Sequence, residues 1–285
     1  MRRNWPLILN EARRIALSYS TAVTLRQLHY RLVAANVGGY LNEQTCYKQL
    51  SSLTAEERRA GLFPQLSDRT RGVERPAAWA SPAAAMAALI SQYRRDNTEG
   101  QTFQTWVLYE KATLGAQIEA WADDYGVPSA ALRGYSSESL EREIFDAMTT
   151  DGRPVVVWYV GDLDPEGEDI ERNFQEQADR MGIVFHHWDR LTVLLAQVAL
   201  YGLVPNPGKE SSSRAAAFVA KYGPMPGTID TPFQIEVEAV DPAVLEQLVT
   251  DALTDPTWFN EKALKASLRK QKADIKRLED LRDSA

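Results

Sequence analysis

The chain has 285 residues, of which 44% are hydrophobic and 25% are charged, the ordinary balance of a globular protein with one or two domains. This composition excludes wholesale disorder, no run approaches the roughly 20 apolar residues of a membrane-spanning helix, and the single cysteine, Cys46, excludes an internal disulfide. The net charge of −7 gives no overall support for nucleic-acid binding, although a local basic face can coexist with an acidic metal site.

Four zones follow one another along the chain. Short helices with turns are predicted for residues 1–75, and an alanine-rich connecting helix with a linker for residues 76–100. Strands alternate with helices over residues 101–190, and residues 191–285 are predicted to be mostly helical. The N-terminus meets Pro6 before any long apolar stretch forms, so it is a poor signal peptide and predicts a cytoplasmic chain.

One predicted helix of the first zone carries a tyrosine away from its apolar face. Thr24 suits the N-cap of a helix over residues 25–33, and the apolar positions that share one face are Leu25, Leu28 and Leu32. Tyr30 lies roughly opposite that face, with Arg26 one turn before it on the same side. An aromatic ring packed against the next element is the other interpretation of this tyrosine.

The following helix, predicted to start after Asn42 and to run towards Arg59, leaves a polar and mildly basic face that includes Lys48. Residues 61–64 and 67–71 come next and have the composition of a basic wing. Three short helices with such a wing are typical of a winged helix-turn-helix, in which the second helix of the motif contacts a DNA groove. A solvated charged face is the alternative interpretation.

The third zone predicts a parallel sheet. Strands alternate with helices there, and this alternation indicates crossover connections between parallel strands. The predicted strands cover residues 105–109, 127–132, 154–160 and 183–186, and the predicted helices cover about 114–125, 136–146 and 166–181. Ligands of such sheets bind at the carboxyl ends of the strands.

Acidic residues follow two of these strands. Glu110 comes directly after the first strand, and Asp162 and Asp164 come directly after the third. If those two strands are neighbours, three carboxylates meet without a basic partner and repel one another. Mg²⁺, which prefers oxygen ligands, would remove that conflict. A loop rich in Asp, Pro and Gly is the alternative interpretation of residues 161–169.

These motifs together resemble the topoisomerase VI A subunit and meiotic double-strand-break transesterase family, and most of all its small stand-alone phage and bacterial members. The similarity lies in ThrLeuArgGlnLeuHisTyrArgLeuVal (24–33), the strand-end Glu110, AspLeuAspProGluGlyGluAspIle (162–170) and PheGlnIleGluValGluAlaVal (233–240). It runs from about residue 24 to about residue 258.

The resemblance implies an α/β fold in two main parts. An N-terminal winged-helix (helix-turn-helix) domain over residues 1–75 would be joined by a connecting helix and linker, residues 76–100, to a Toprim core. That core, residues 101–190, would contain a parallel Rossmann-like sheet, and residues 191–285 would add a C-terminal helical elaboration with a terminal helix.

The resemblance also implies the roles of individual residues. Glu110, Asp162 and Asp164 would hold Mg²⁺, with Mn²⁺ as the alternative ion. Tyr30 would be the nucleophile, with Arg26 at the spacing of the family and His29 where the family usually has another aromatic residue. The basic residues that we expect to contact DNA are Arg31, Lys48, Arg59, Arg69, Arg71, Lys209 and Arg214.

The implied function is magnesium-dependent cleavage of double-stranded DNA by tyrosine transesterification, as in type IIB topoisomerases. A homodimer would make the cut, with the tyrosine of one subunit facing the metal site of the other. The protein would act in the nucleoid or, if it is a phage protein, in the host cytoplasm. No nucleotide-binding pattern occurs in the sequence, so strand passage would need a separate B-type ATPase subunit. A Toprim nuclease that uses water, and a DNA-binding dimer that does not cleave, are the alternatives.

Overall fold

The computed structural model describes residues 3–19, 22–67, 76–132 and 138–283. The helices are α1 (Trp5–Leu17), α2 (Leu25–Ala35), α3 (Gln44–Arg59), α4 (Pro82–Gln92), α5 (Gly115–Asp123), α6 (Glu138–Asp151), α7 (Pro165–Arg180), α8 (Leu195–Leu200), α9 (Ala215–Tyr222), α10 (Pro242–Thr254) and α11 (Glu261–Asp283). The strands are β1 (Gln104–Tyr109), β2 (Ser129–Ala131), β3 (Val155–Val160), β4 (Phe185–Thr192), β5 (Asn206–Pro207) and β6 (Phe233–Gln234), and short 3₁₀ turns lie at Ala112–Leu114 and Val237–Ala239. In these ranges no helix combines the length and the apolar character that crossing a bilayer requires.

Polar side chains fix where α2 and α7 begin. Thr24 caps α2 as predicted, because its hydroxyl accepts the backbone N–H of Gln27 while the Gln27 side chain accepts the N–H of Thr24. Asp164 caps α7 in the same way, with its Oδ1 2.6 Å from the N–H of Gly167. Pro165 follows at the first helical position, where its fixed φ suits a helix start.

The predicted α/β fold with a parallel sheet is confirmed. Within the described ranges, four parallel strands lie in the order β2-β1-β3-β4. The first and third strands are neighbours, paired from Gln104 with Val155 to Tyr109 with Val160. This pairing satisfies the condition on which the predicted meeting of the carboxylates depends.

The central strand β3 is buried at every residue, as its continuous apolar run indicates. Helices α5 and α10 cover one face of the sheet through an apolar cluster that includes Ile118, Trp121, Leu245 and Val249. Helices α6 and α7 cover the other face through Ile144, Phe145, Ile170 and Phe174. The sheet is therefore the middle layer between two layers of helices. Polar side chains that could bind a ligand lie at the carboxyl ends of its strands.

The fourth strand is longer than the sequence indicates. We expected it to end at His186, and it continues to Thr192. It lies at the edge of the described sheet beside β3, and most of its side chains are only half-buried. A half-exposed edge strand accepts polar residues, so the stretch from His187 to Arg190 lacks an apolar strand pattern.

Helices α1, α2 and α3 have an apolar core of their own, which includes Ile8, Ile15, Leu28, Leu32 and Leu50. Helix α2 is also fixed to the sheet-bearing part of the chain. Gln27 donates from Nε2 to Oε1 of Gln117 at 2.7 Å, and Arg31 donates to the carbonyl of Ala239 at 3.0 Å. Of the predicted wing, residues 61–64 and 67–71, the last four residues, 68–71, lie outside the described residues.

His29 on α2 is a buried polar residue with two side-chain partners. Its Nδ1 lies 2.7 Å from the hydroxyl of Tyr40, and its Nε2 lies 3.1 Å from Oδ1 of Asn42. These bonds join α2 to the segment that leads into α3. Burial lowers the pKa of His29 below its ordinary value, so the folded chain holds this ring neutral.

We expect the contribution of His29 to the free energy of unfolding to fall as the pH drops below about 6.5. His29 must stay neutral in the folded chain, so the unfolded chain binds this proton first, which costs at most ~1.4 kcal/mol per pH unit. His29→Gln retains hydrogen-bonding groups but does not titrate, so wild type should lose stability relative to this variant as the pH falls, because the other titrating groups are the same in both proteins. Urea unfolding from neutral pH to about pH 5 measures both slopes, and parallel curves for the two proteins would contradict this role of His29.

Candidate active site

The carboxylate of Glu110 is bonded to the backbone of Asp162, where the strand-end acidic residues are predicted to meet. Glu110 directly follows β1, and Asp162 comes two residues after the end of β3. Oε2 of Glu110 accepts a hydrogen bond from the backbone N–H of Asp162 at 2.9 Å. Glu110 is 9% exposed and Asp162 is 2% exposed, so both groups have lost most of their contact with water.

Gly167, in the first turn of α7, brings the third carboxylate to this point. A Cβ atom on Gly167 would lie 2.9 Å from Oε2 of Glu110 and 3.2 Å from Oδ1 of Asp164. It would also lie 2.7 Å from the carbonyl oxygen of Asp162, a backbone atom that cannot easily move aside. The three acidic residues therefore surround a position that only glycine fits.

Burial and mutual repulsion make it costly for these carboxylates to be charged together. Burial, followed by the negative charge of Asp162, raises the pKa of Glu110 to about 8. The same two causes raise the pKa of Asp164 to about 6. A cation at this edge of the sheet would therefore allow all three groups to ionise.

A lysine that the motif analysis does not single out supplies one such positive charge. Nζ of Lys111 lies 2.5 Å from Oδ2 of Asp162 and 3.5 Å from Oε2 of Glu238, and it also contacts Glu236. Burial lowers the pKa of Lys111, but the carboxylates around it outweigh that effect and raise the pKa above its ordinary value. The expectation that the carboxylates converge without a basic partner is therefore wrong.

Glu236 and Glu238 reach the site through a segment far along the chain. Leu163 and Ile235 form an antiparallel bridge, with both N–H···O distances 3.0 Å, and the N–H of Val237 donates to Oδ1 of Asp162 at 2.8 Å. Both glutamates are buried. The alternation Ile-Glu-Val-Glu over 235–238 is the sequence signal that could have identified them, since it indicates an extended segment with acidic side chains on one side.

Tyr30 lies beside the acidic residues of its own chain. Nζ of Lys111 is 5.5 Å from the centre of the Tyr30 ring, and the guanidinium carbon of Arg26 is also 5.5 Å from it. Arg26 in turn approaches the Tyr30 hydroxyl at 3.4 Å and Oε2 of Glu238 at 3.5 Å. Burial raises the pKa of Tyr30, while the charge of Arg26 lowers it.

Arg190 on β4 holds the acidic loop from the other side. Its Nη1 donates to the carbonyl of Asp162 at 2.7 Å, and its Nη2 donates to the carbonyl of Gly167 at 3.3 Å. Its guanidinium also pairs with Glu171 at 2.6 Å and lies 5.0 Å from the centre of the Tyr159 ring. The loop that carries the carboxylates is thus fixed at both of its ends.

The basic residues predicted to contact DNA have different surroundings. Lys48 and Arg59 are exposed on α3, and Lys209 is exposed in the segment before α9. Arg31 pairs with Asp241 at 2.7 Å, and Arg214 pairs with Asp169 at 2.6 Å. The remaining two, Arg69 and Arg71, lie outside the described residues.

The donor chemistry of Glu110, Asp162 and Asp164 fits a hard cation such as Mg²⁺, because all the available atoms are carboxylate oxygens. In the described part of the chain, no three His, Cys, Asp or Glu side chains are already grouped as metal ligands. Lys111 contacts one oxygen of Asp162, and Gly167 N–H contacts one oxygen of Asp164. Metal binding would therefore exchange internal contacts for metal contacts.

Comparison with known proteins leaves the family of the chain open. No family model matches the sequence, and no curated protein matches it.

Gly167→Ala is expected to destabilise the chain. Alanine normally stabilises a helix relative to glycine by up to about 1 kcal/mol, but here its Cβ would meet the Asp162 carbonyl at 2.7 Å, and such overpacking costs roughly 1–3 kcal/mol. Urea unfolding measures the change in the free energy of unfolding. Asp179→Ala, at the exposed far end of the same helix, is the control and should change it by less than about 0.5 kcal/mol. A more stable Gly167→Ala protein would show that the acidic loop does not pack closely against the start of α7.

Proposed function

We propose that this chain is a DNA-binding, magnesium-dependent protein of the topoisomerase VI A type that cleaves double-stranded DNA by tyrosine transesterification and lacks an ATPase of its own. In this proposal α1 to α3 belong to a winged-helix domain and the sheet belongs to a Toprim domain. The observation that carries it is the position of the Tyr30 ring, 5.5 Å from an ammonium group that is itself 2.5 Å from Asp162. A hydroxyl nucleophile on a helix thus lies beside the acidic strand ends.

In the proposed step, the oxygen of Tyr30 forms a bond to a backbone phosphorus of DNA. The bond from that phosphorus to the leaving sugar oxygen breaks, and the phenol proton ends on the sugar as a hydroxyl group. The number of phosphate ester bonds is unchanged, so the step is reversible without an energy source. The cut strand stays attached to the protein through a phosphotyrosine.

Charged side chains of this chain have separate tasks in the proposal. Arg26, 3.4 Å from the Tyr30 hydroxyl, is suited to hold a non-bridging phosphate oxygen and to stabilise the phenolate. Lys111 adds a second positive charge near the ring. Glu110, Asp162 and Asp164 would hold Mg²⁺, or Mn²⁺ in its place, and the bound ion would stabilise negative charge on the phosphate.

One Tyr30 cuts one strand, so a double-strand break needs two copies of the chain. We therefore include a homodimer in the proposal. The resemblance implies a tyrosine that faces the partner's acidic residues, whereas the contact between Tyr30 and Lys111 lies within one chain. That contact favours two self-contained sites, one per subunit, and strand passage would still require a separate ATPase subunit.

A metal-dependent nuclease that activates water is the second candidate. It is favoured by the burial of Tyr30, which raises the pKa of its hydroxyl and makes the phenol a weaker nucleophile at neutral pH. In that case Tyr30 has only a packing role, and the acidic residues alone support hydrolysis.

The first experiment uses supercoiled plasmid with Mg²⁺ or Mn²⁺, stopped with detergent and analysed with and without protease digestion. Wild type should give protein-linked breaks, because the phosphotyrosine survives denaturation. Tyr30→Phe and Asp162→Ala should both give none, while Tyr125→Phe, which alters a tyrosine that packs against Phe259 just after α5, should cleave like wild type. Protein-free breaks that persist in Tyr30→Phe would make the chain a nuclease, and no breaks in any protein would leave a DNA-binding dimer.

A mixture of the two inactive variants tests whether each site is self-contained. Tyr30→Phe and Asp162→Ala are unfolded together and refolded, so that mixed dimers form. With both residues acting within one chain, each subunit of the mixed dimer lacks an essential group, and we expect no cleavage. Protein-linked nicks in single strands would contradict this, because they require the tyrosine of one subunit to act at the acidic residues of the other.

A further inference from the structure

A cavity of about 240 Å³ lies between α2 and the start of α3, on the same helix face as Tyr30. Its walls come from Arg26, His29 and Tyr30 on α2, from Asn42 in the segment before α3, and from Gln44 and Tyr47 in the first turn of α3. Tyr30 therefore borders both this cavity and the acidic residues. Whatever fills the cavity lies next to the proposed nucleophile.

Two tyrosine rings of the cavity are held in place by the buried His29. The centres of the His29 and Tyr30 rings are 5.1 Å apart at an interplanar angle of 65°. The centres of the His29 and Tyr47 rings are 5.2 Å apart at 89°. Edge-to-face contacts of this kind fix ring orientation, and an oriented tyrosine face can stack on any nucleobase.

A hydrogen-bonded chain orients the amide of Asn42. The Oδ1 atom of Asn42 can only accept, so Nε2 of His29, 3.1 Å away, must carry the hydrogen. The neutral ring then accepts at Nδ1 from the hydroxyl of Tyr40 at 2.7 Å. The amide nitrogen of Asn42, a residue that lines the cavity, is the remaining donor of this side chain. Asn and Gln side chains are the groups that pair with the edge of adenine.

The charges of the cavity favour a neutral planar group over a phosphate. Arg26 carries a positive charge at the wall, and Glu43, which also borders the cavity, carries a negative one. Glu43 is paired with Arg3 and accepts a hydrogen bond from Thr45 at 3.0 Å. The remaining walls are aromatic rings and amides, which recognise bases by stacking and edge contacts.

We propose that this cavity binds one unpaired base of the DNA substrate next to the Tyr30 side chain. The proposal rests on DNA as the substrate, as argued above, but not on cleavage. A base removed from its pair would stack on Tyr47 and meet Asn42 and Gln44 at its edge. DNA with a locally open base pair would therefore bind better than a perfect duplex.

The test compares two short duplexes in EDTA, one fully paired and one with a single unpaired 2-aminopurine, by fluorescence anisotropy and by the emission of the base. Wild type should bind the second duplex about fivefold more tightly or better, which is the effect of stacking one base, and should quench its emission. Tyr47→Leu should remove the preference and Tyr47→Phe should retain it. Asn42→Ala, at an exposed position, should weaken it.

Lys48→Ala is the matched control, since Lys48 is exposed on α3 one turn after Gln44. The Lys48→Ala substitution should weaken the binding of both duplexes by the same factor, because loss of a phosphate contact does not depend on the base. Equal binding of the two duplexes by wild type, or an unchanged preference in a folded Tyr47→Leu protein, would overturn the pocket. Equally tight binding of the free 2-aminopurine nucleoside would also overturn it, in favour of a small-molecule site.

The outcomes separate this proposal from the proposed function. A preference for the unpaired base without strand breaks in Mg²⁺ would support the pocket and overturn the cleavage reaction. Strand breaks without that preference would support the cleavage reaction and overturn the base-binding pocket. No binding of either duplex would overturn both.

Discussion

The ion pairing of Lys111 is the constraint on which the polar end of this molecule depends. The Lys111 side chain is only 13% exposed, and such a buried charge is unfavourable by several kcal/mol unless partners surround it. Asp162 from the loop after β3 and Glu236 and Glu238 from a remote segment provide those partners. The fold must therefore hold both segments at the end of β1, and the sheet edge becomes a compact set of charges rather than an open loop.

The same charges connect the sheet with the N-terminal helices. Glu238 contacts both Lys111 and Arg26, and Arg26 lies beside Tyr30. Gln27 and Arg31, on the same helix, add hydrogen bonds to Gln117 and Ala239. Ion pairs and hydrogen bonds of side chains thus hold the helix that carries the tyrosine against the part of the chain that carries the carboxylates.

The sequence predicts well what depends on local pattern. The apolar run of β3, the Thr24 cap and the strand-end positions of Glu110 and Asp162 follow from periodicity and neighbouring residues. Contacts between distant segments do not follow from such patterns, so the ion pairs of Lys111 and the alignment of residues 233–238 with the acidic loop were missed. Arg31 shows the same limit, because a basic residue on a helix gives no sign that Asp241 will pair with it. The winged-helix and Toprim assignments, the homodimer, the metal ligands and the DNA contacts stay predictions.

The bridge between Leu163 and Ile235 has a consequence for how such a protein can be rearranged by evolution or by design. A core cut off before residue 233 would retain all four parallel strands, yet it would lose the N–H that binds Asp162 and two of the carboxylates that pair with Lys111. The sheet with its helices is therefore not an exchangeable module. A transplant of this chemistry into another protein would have to carry residues 233–241 with it, or replace Lys111 by an uncharged residue at the same time.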